Sequence, residues 1–342
     1  MLIRRSLVAL LVIAVGYAAF LPFTELPGFI RGSQWELNVM AAEQFVYECP
    51  DVPVVVVGSS ISYWLKDLPA DWFNLALAGE GCLTGLDIIE RSDARPQTVL
   101  VEINVAERSP NAGLVDSLLM PGLRQAKQST PALRERNEPA HVTFRCLYLG
   151  SYYAGRIFEK LGMTDEVAAR DTKTPKGLAL VINEQSTPQP EGAEATAKPA
   201  ASESGEPGAG GGGVLREVRL QAVQTRYDPA LLTARLQDIR QRVESLEARG
   251  VCVIFFEAPE DAATYDSPRR SQLRELTHQI LPPDRFAYMP RPTNQSFHTR
   301  DGTHMTAESA ERYCRWLFDH VPATDSLVSA VTHHSIGESA GH

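Results

Sequence analysis

The run Val54-Val55-Val56-Val57, closed by Gly58-Ser59-Ser60, constrains this chain more than any other segment. Consecutive β-branched residues favour extended backbone, and a strand with no polar position among them must be covered on both faces. Such strands belong to parallel sheets flanked by helices. The rest of the sequence supplies the partners. Further strands are expected at 72–77, 98–103, 251–256 and 286–289, with helices at 83–93, 228–249, 267–280 and from Thr306 to about His320. The helix at 228–249 opens on Asp228-Pro229, ends before Gly250, and carries Leu231, Leu232, Leu236, Ile239, Val243 and Leu246 along one face. Strands alternating with helices predict the α/β class: a three-layer α/β/α sandwich around a mostly parallel five-stranded sheet.

In such sheets, catalytic groups gather beyond the carboxyl ends of the strands. Ser60, Gly79 and Asn104 each fall just past an expected strand end. Near the other end of the chain, Asp301-Gly302-Thr303-His304 places a carboxylate three residues before an imidazole, ahead of the last helix. Serine is a poor nucleophile at neutral pH unless a base takes its proton, and that base works best when a third group orients it. Ser60, His304 and Asp301 supply the three parts if the fold brings them together. The bland readings are a helix cap for Ser60 and an ordinary turn for Asp301-Gly302. His298 beside Asp301 and His304 does not complete a metal ligand set, so neither metal nor cofactor is expected. Arg291 and Arg300 are either surface residues or contacts for an anionic substrate group. Tyr63 and Trp64 either line an acyl pocket or pack on the sheet.

A formal charge of −9, with no cluster of Lys and Arg to offset it, argues against nucleic acid as a partner. Arg4 and Arg5 precede an uncharged stretch from Ser6 to Thr24, near the ~20 residues that cross a bilayer as a helix. Residues 1–24 therefore read as a signal anchor or transmembrane helix, with the rest of the chain outside the cytoplasm. A cleaved signal peptide is the alternative, disfavoured by the lack of a clean small-x-small site before Phe20-Leu21-Pro22. Residues 25–50 read as a short helical connector, and 51–323 as the α/β domain. That domain has a helical insertion at 107–163, centred on 141–162, and a Pro, Ala, Glu, Ser and Gly-rich loop at 184–213 expected to be disordered. A flexible tail is expected over 324–342. The five cysteines lack any Cys-x-x-Cys pair, and an odd count leaves at least one unpaired.

Blocks at 53–106 and 228–320 together resemble the SGNH (GDSL-like) hydrolase and acyltransferase superfamily. The first block of that family, a strand ending in Gly-x-Ser, is matched by Gly58-Ser59-Ser60. The second is similar to Asn74-Leu-Ala-Leu-Ala-Gly79, and the last, Asp-x-x-His, to Asp301–His304. The resemblance implies a flavodoxin-like fold, Ser60 as nucleophile, His304 as base and Asp301 as its orienter. It also implies an oxyanion hole built from the N–H groups of Ser60 and Gly79, completed by the Asn104 side chain. The third block departs from the family: Val101-Glu102-Ile103-Asn104-Val105-Ala106 lacks both the Gly before the Asn and the Asp after it. By this resemblance the chain is expected to be a serine esterase or O-acyltransferase acting on acyl esters of envelope polysaccharide or lipid. A membrane-bound acyl-transfer partner is the companion expectation. The alternative is a catalytically weak or inactive scaffold in a polysaccharide-modifying complex.

Overall fold

The computed structural model describes residues 2–21, 33–143, 146–147, 217, 220–292 and 297–321. The chain divides into two compact units, one of residues 1–43 and 120–190, the other of 44–119 and 191–342. The expected loop at 184–213, the tail at 324–342 and most of the helical segment at 141–162 lie outside the described residues.

The second unit holds the sheet. Its strands are β1 (Val54–Gly58), β2 (Trp72–Ala76), β3 (Thr98–Glu102), β4 (Cys252–Phe256) and β5 (Ala287–Tyr288). They lie in the order β2-β1-β3-β4-β5 and every pair is parallel, so the sheet is wholly rather than mostly parallel. The first crossover leaves β1 for one side and the next returns to its other side. That reversal puts a topological switch point between β1 and β3, the place where sheets of this class gather their functional groups past the strand ends.

Alternation along the strands divides two covered faces. Val54 and Val56 of β1, Leu100 of β3, and Ile254 and Phe256 of β4 share a buried cluster with Ala310, Tyr313, Cys314 and Leu317. Those four belong to the last helix, α9 (Ala307–His320), capped by Thr306, whose side chain accepts from the Ser309 N–H. On the other face lie α3 (Cys82–Arg91), against β1 and β2, and α6 (Pro229–Ala248), against β4. Asp228 caps α6 by accepting from the N–H groups of Ala230 and Leu231, with Pro229 in the first turn. Its buried stripe is Leu232, Leu236, Ile239, Val243 and Leu246; Leu231 falls off that stripe and is half exposed. Beyond β4 run the short α7 (Ala262–Tyr265) and α8 (Pro268–Ile280). The insertion after β3 begins with α4 (Ala112–Leu119), whose Leu118 carbonyl accepts from the Tyr47 hydroxyl.

The first unit contains α1 (Leu2–Phe20), α5 (Pro121–Ser129), and the start of α2 (Gln34–Glu48), which runs on into the second. Glu43, buried on α2, accepts from Lys127 at 2.5 Å and from the Glu135 N–H at 2.7 Å. The N-terminal helix forms, but among the described residues no helix is long and apolar enough to cross a membrane. The expected span is therefore unsupported. Helix α1 runs Leu2–Phe20 with Arg4 and Arg5 inside it, and residues 22–24 lie outside the described residues. Its uncharged part, from Ser6 to Phe20, rises only ~22 Å against a hydrocarbon core of ~30 Å.

Candidate active site

The turn after β1 separates two adjacent serines by role. Ser59 is buried, and its hydroxyl donates to Glu102 at 2.8 Å while accepting from the Ile61 N–H at 3.2 Å. Ser60 points the other way, into contact with His304. Four donor groups converge on the Glu102 carboxylate: the N–H and hydroxyl of Ser59, and the N–H and hydroxyl of Ser62. Glu102 ends β3, the neighbour of β1 in the sheet, and is 1% exposed. This acid therefore clamps the serine turn from beneath, at the switch point. It also explains the glycine: a Cβ on Gly58 would lie 2.6 Å from Glu102 Oε2 and 2.8 Å from its Cβ.

The segment 298–306 carries His304. Thr299 and Met305 form an isolated antiparallel bridge, the Arg300 N–H donates to the His304 carbonyl at 2.7 Å, and the Thr306 N–H to the His298 carbonyl at 3.0 Å. The Gly302 carbonyl accepts from the Asp261 N–H at 3.0 Å, and the Thr299 hydroxyl donates to the Asp261 carboxylate. Inside this loop Asp301 Oδ1 accepts from the N–H groups of Thr303 and His304, at 3.2 and 2.8 Å. Its other oxygen, Oδ2, lies 2.9 Å from His304 Nδ1. His304 Nε2 in turn lies 2.9 Å from Ser60 Oγ. Residues 244 positions apart in sequence thus complete a carboxylate–imidazole–hydroxyl line at hydrogen-bond spacing. With Asp301 accepting at Nδ1, the proton of a neutral imidazole sits there and the lone pair of Nε2 faces Ser60.

Gly79 follows β2 in a left-handed conformation, φ 79°, that a residue with a side chain adopts only with strain. The β1–β2 ladder ends at Gly58 and Ala76, extended by a Leu77 N–H bond to the Gly58 carbonyl at 3.2 Å. Ser60 and Gly79 thus leave neighbouring strands within three residues of their paired ends. Among the described residues, neither the Ser60 nor the Gly79 N–H has a hydrogen-bond acceptor.

Asn104 is placed differently from the expectation. Its Nδ2 donates to the Ala258 carbonyl at 2.9 Å and its Oδ1 accepts from the Ala258 N–H at 2.7 Å. These partners occupy its amide, so the oxyanion role is corrected: Asn104 ties the loop after β3 to the loop after β4. Arg270 of α8 reinforces this knot, donating to the Asn104 carbonyl and to Glu260. Burial pushes the Glu260 carboxyl up, opposed by Arg270 beside it. Asn74 of the second block is structural too, its amide bridging the Ser62 and Leu65 carbonyls at 2.9 Å each.

Around the pair lie groups of both kinds anticipated from sequence. Tyr63 and Trp64, half-buried in the 3-10 turn Ser62–Trp64, meet edge to face. Burial raises the Tyr63 phenol. The Arg300 guanidinium stacks over Trp64 at 4.7 Å from the ring centre, and Lys66 Nζ sits 4.0 Å from the Tyr63 ring centre. Arg291 stacks instead on Tyr265, and His298 is held through its backbone to the Ser309 hydroxyl. Glu102 was visible in the sequence only as a departure from the third block. An isolated acid ending an otherwise apolar strand is the signal that marked it.

Compared with known proteins, the chain matches no family model, no curated protein and no solved structure.

Proposed function

We propose that this protein is a serine ester hydrolase or O-acyltransferase of SGNH type, working through an acyl-Ser60 intermediate. The observation that carries the reading is the Asp301–His304–Ser60 line, with 2.9 Å at each step. Ser60 Oγ attacks the carbonyl carbon of an ester while its proton passes to His304 Nε2. The tetrahedral oxyanion is met by the free N–H groups of Ser60 and Gly79. When it collapses, the C–O bond to the leaving alcohol breaks and His304 returns the proton to that oxygen. Water or an acceptor hydroxyl then attacks the acyl-serine, with His304 again as base. Asp301 keeps the ring in the tautomer that makes Nε2 the acceptor. With Asn104 engaged elsewhere, the hole rests on two backbone donors; a lost third donor costs ~3 kcal/mol of transition-state stabilisation, which slows such chemistry without ending it.

The setting proposed is the cell envelope, outside the cytoplasm and attached to a membrane through the N-terminal segment. The substrates would be acyl esters of glycans or lipids, supplied by a membrane-bound acyl-transfer partner. Arg4 and Arg5, and the exposed apolar side chains Val8, Leu10, Leu11, Val12, Ile13 and Val15 of α1, support attachment. A fluorophosphonate probe tests the chemistry. Labelling is expected at Ser60 and lost in Ser60→Ala and His304→Ala. A folded wild-type protein that takes up no probe and releases nothing from aryl acetates would leave only the scaffold reading.

A further inference from the structure

We propose that the Trp64–Arg300 side of the site is an oxyanion-binding subsite, and that the ester attacked by Ser60 is carried on a glycan bearing carboxylate or phosphate groups. The inference rests on the acyl-transfer reading of Ser60. The turn after β1 and the segment 298–306 meet twice: once at Ser60 and His304, and again at Trp64 and Arg300. The second meeting is built rather than casual. The backbone of Arg300 is fixed by its bond to the His304 carbonyl at 2.7 Å, so whatever holds the base also holds this arginine. Trp64 is held edge-on by Tyr63, and Lys66 adds a second cation, 4.0 Å from the Tyr63 ring centre and 5.9 Å from that of Trp64.

Stacking on an indole fixes the plane of a guanidinium but leaves its in-plane N–H groups to water or ligand. A fork held in this way suits the paired oxygens of a carboxylate or phosphate. Arg300 and Lys66 are both exposed, and among the described residues no carboxylate forms an ion pair with either. Arginines elsewhere are neutralised: Arg242 by Asp87, Arg270 by Glu260, Arg285 by Glu247. In a chain of net charge −9 the general field repels a polyanion. Two unpaired cations beside the nucleophile give such a polymer a local foothold in the register that brings its ester to Ser60.

The test uses the full-length protein and three O-acetylated oligomers of matched length: an oligouronate, a glycerol-phosphate oligomer and a neutral β-glucan. Release or transfer of acetate is measured at low salt and in ~0.5 M salt, where charge attraction is screened within a few ångströms. One or both anionic oligomers are expected to exceed the neutral one by roughly tenfold in kcat/KM, chiefly through KM, with the advantage collapsing in high salt. Which of the two leads identifies carboxylate or phosphate as the group read. Arg300→Gln should bring the ratio toward one, while Arg315→Gln, the same charge change on exposed α9 surface, should preserve it. Equal use of all three oligomers overturns the subsite. So does an equal fall of the ratio in both variants, which would assign the preference to the general field. Calorimetry of the unacetylated oligomers with Ser60→Ala separates the two readings. Anion-selective binding without wild-type turnover sinks the chemistry and keeps the subsite; turnover without anion-selective binding does the reverse.

Discussion

Ser59 and Glu102 are joined through the Ser59 hydroxyl and N–H, at 2.8 and 2.9 Å, across the switch point of the sheet. The bonds anchor the residue before the nucleophile to the end of the neighbouring strand, so Ser60 leaves a rigid base. Glu102→Gln is nearly the same shape but turns one acceptor into a donor facing hydroxyls and N–H groups. It is expected to cost ~1–3 kcal/mol of stability, as an unmatched buried polar group does. A misplaced nucleophile should also lower the rate of fluorophosphonate labelling by roughly 10²-fold. Labelling at the wild-type rate in protein that is folded by circular dichroism would show that Glu102 supports the fold without positioning Ser60.

Asp301 has two tasks, one for each oxygen. Oδ1 accepts from the Thr303 and His304 N–H groups and Oδ2 faces the imidazole. Asn in its place keeps an oxygen for the backbone bonds but presents an amide N–H toward Nδ1, which favours the wrong tautomer. Asp301→Asn is therefore expected to cost only ~1 kcal/mol of stability, since the Asn oxygen keeps both backbone bonds of a side chain that is largely buried. It should lower ester turnover by up to ~10⁴-fold. A large drop in melting temperature would mean that the loop, rather than the imidazole, needs the charge.

The framework was legible because burial and backbone preference act locally. Four valines in a row require two covered faces, and each expected strand and each expected helix of the sheet unit lies within about two residues of its observed position. The convergence of Ser60, His304 and Asp301 was legible because Ser60 follows a strand and Asp301–His304 precedes a capped helix, both places where short turns aim side chains outward. What a strand end does with a polar residue was not legible. Asn104 and Glu102 lie two residues apart, yet Glu102 turns to the serine loop and Asn104 to Ala258. That choice depends on donors from β1 and β4, far away in sequence. The N-terminal span was less legible: hydropathy marks an apolar run to Thr24, while the uncharged part of helix α1 covers only Ser6–Phe20.

Asn104 offers a discriminating substitution. Removing its amide leaves the Ala258 N–H and carbonyl buried without their partners. Asn104→Ala is expected to lose ~2–4 kcal/mol, a fall of roughly 5–15 °C in melting temperature for a unit of this size. Activity per folded molecule should change less than tenfold. An oxyanion donor would show the opposite pattern, with stability kept and kcat down ~10²–10³-fold. That pattern would return Asn104 to the hole.

All five cysteines are thiols rather than disulfide halves, and two of them, Cys82 and Cys314, are buried at 1% exposure. Burial pushes the Cys314 thiol up to about 11 from an ordinary 9.0, and raises Cys82 further, with Glu102 and Glu107 adding to the effect there. A thiol that holds its proton more tightly when folded stabilises the fold fully below the unfolded value. That contribution is lost as pH rises through the folded value, because the unfolded chain ionises first. Stability should therefore decline from pH ~9 toward pH ~11, and Cys314→Ala should flatten the slope in this interval. Iodoacetamide at pH 8 should modify Cys49 and Cys146, which are partly exposed, and spare Cys82 and Cys314 until denaturant is added. Rapid alkylation of Cys314 in the native protein would mean that α9 opens from the sheet. The helix that begins three residues after His304 would then be too loose to hold the imidazole against Ser60.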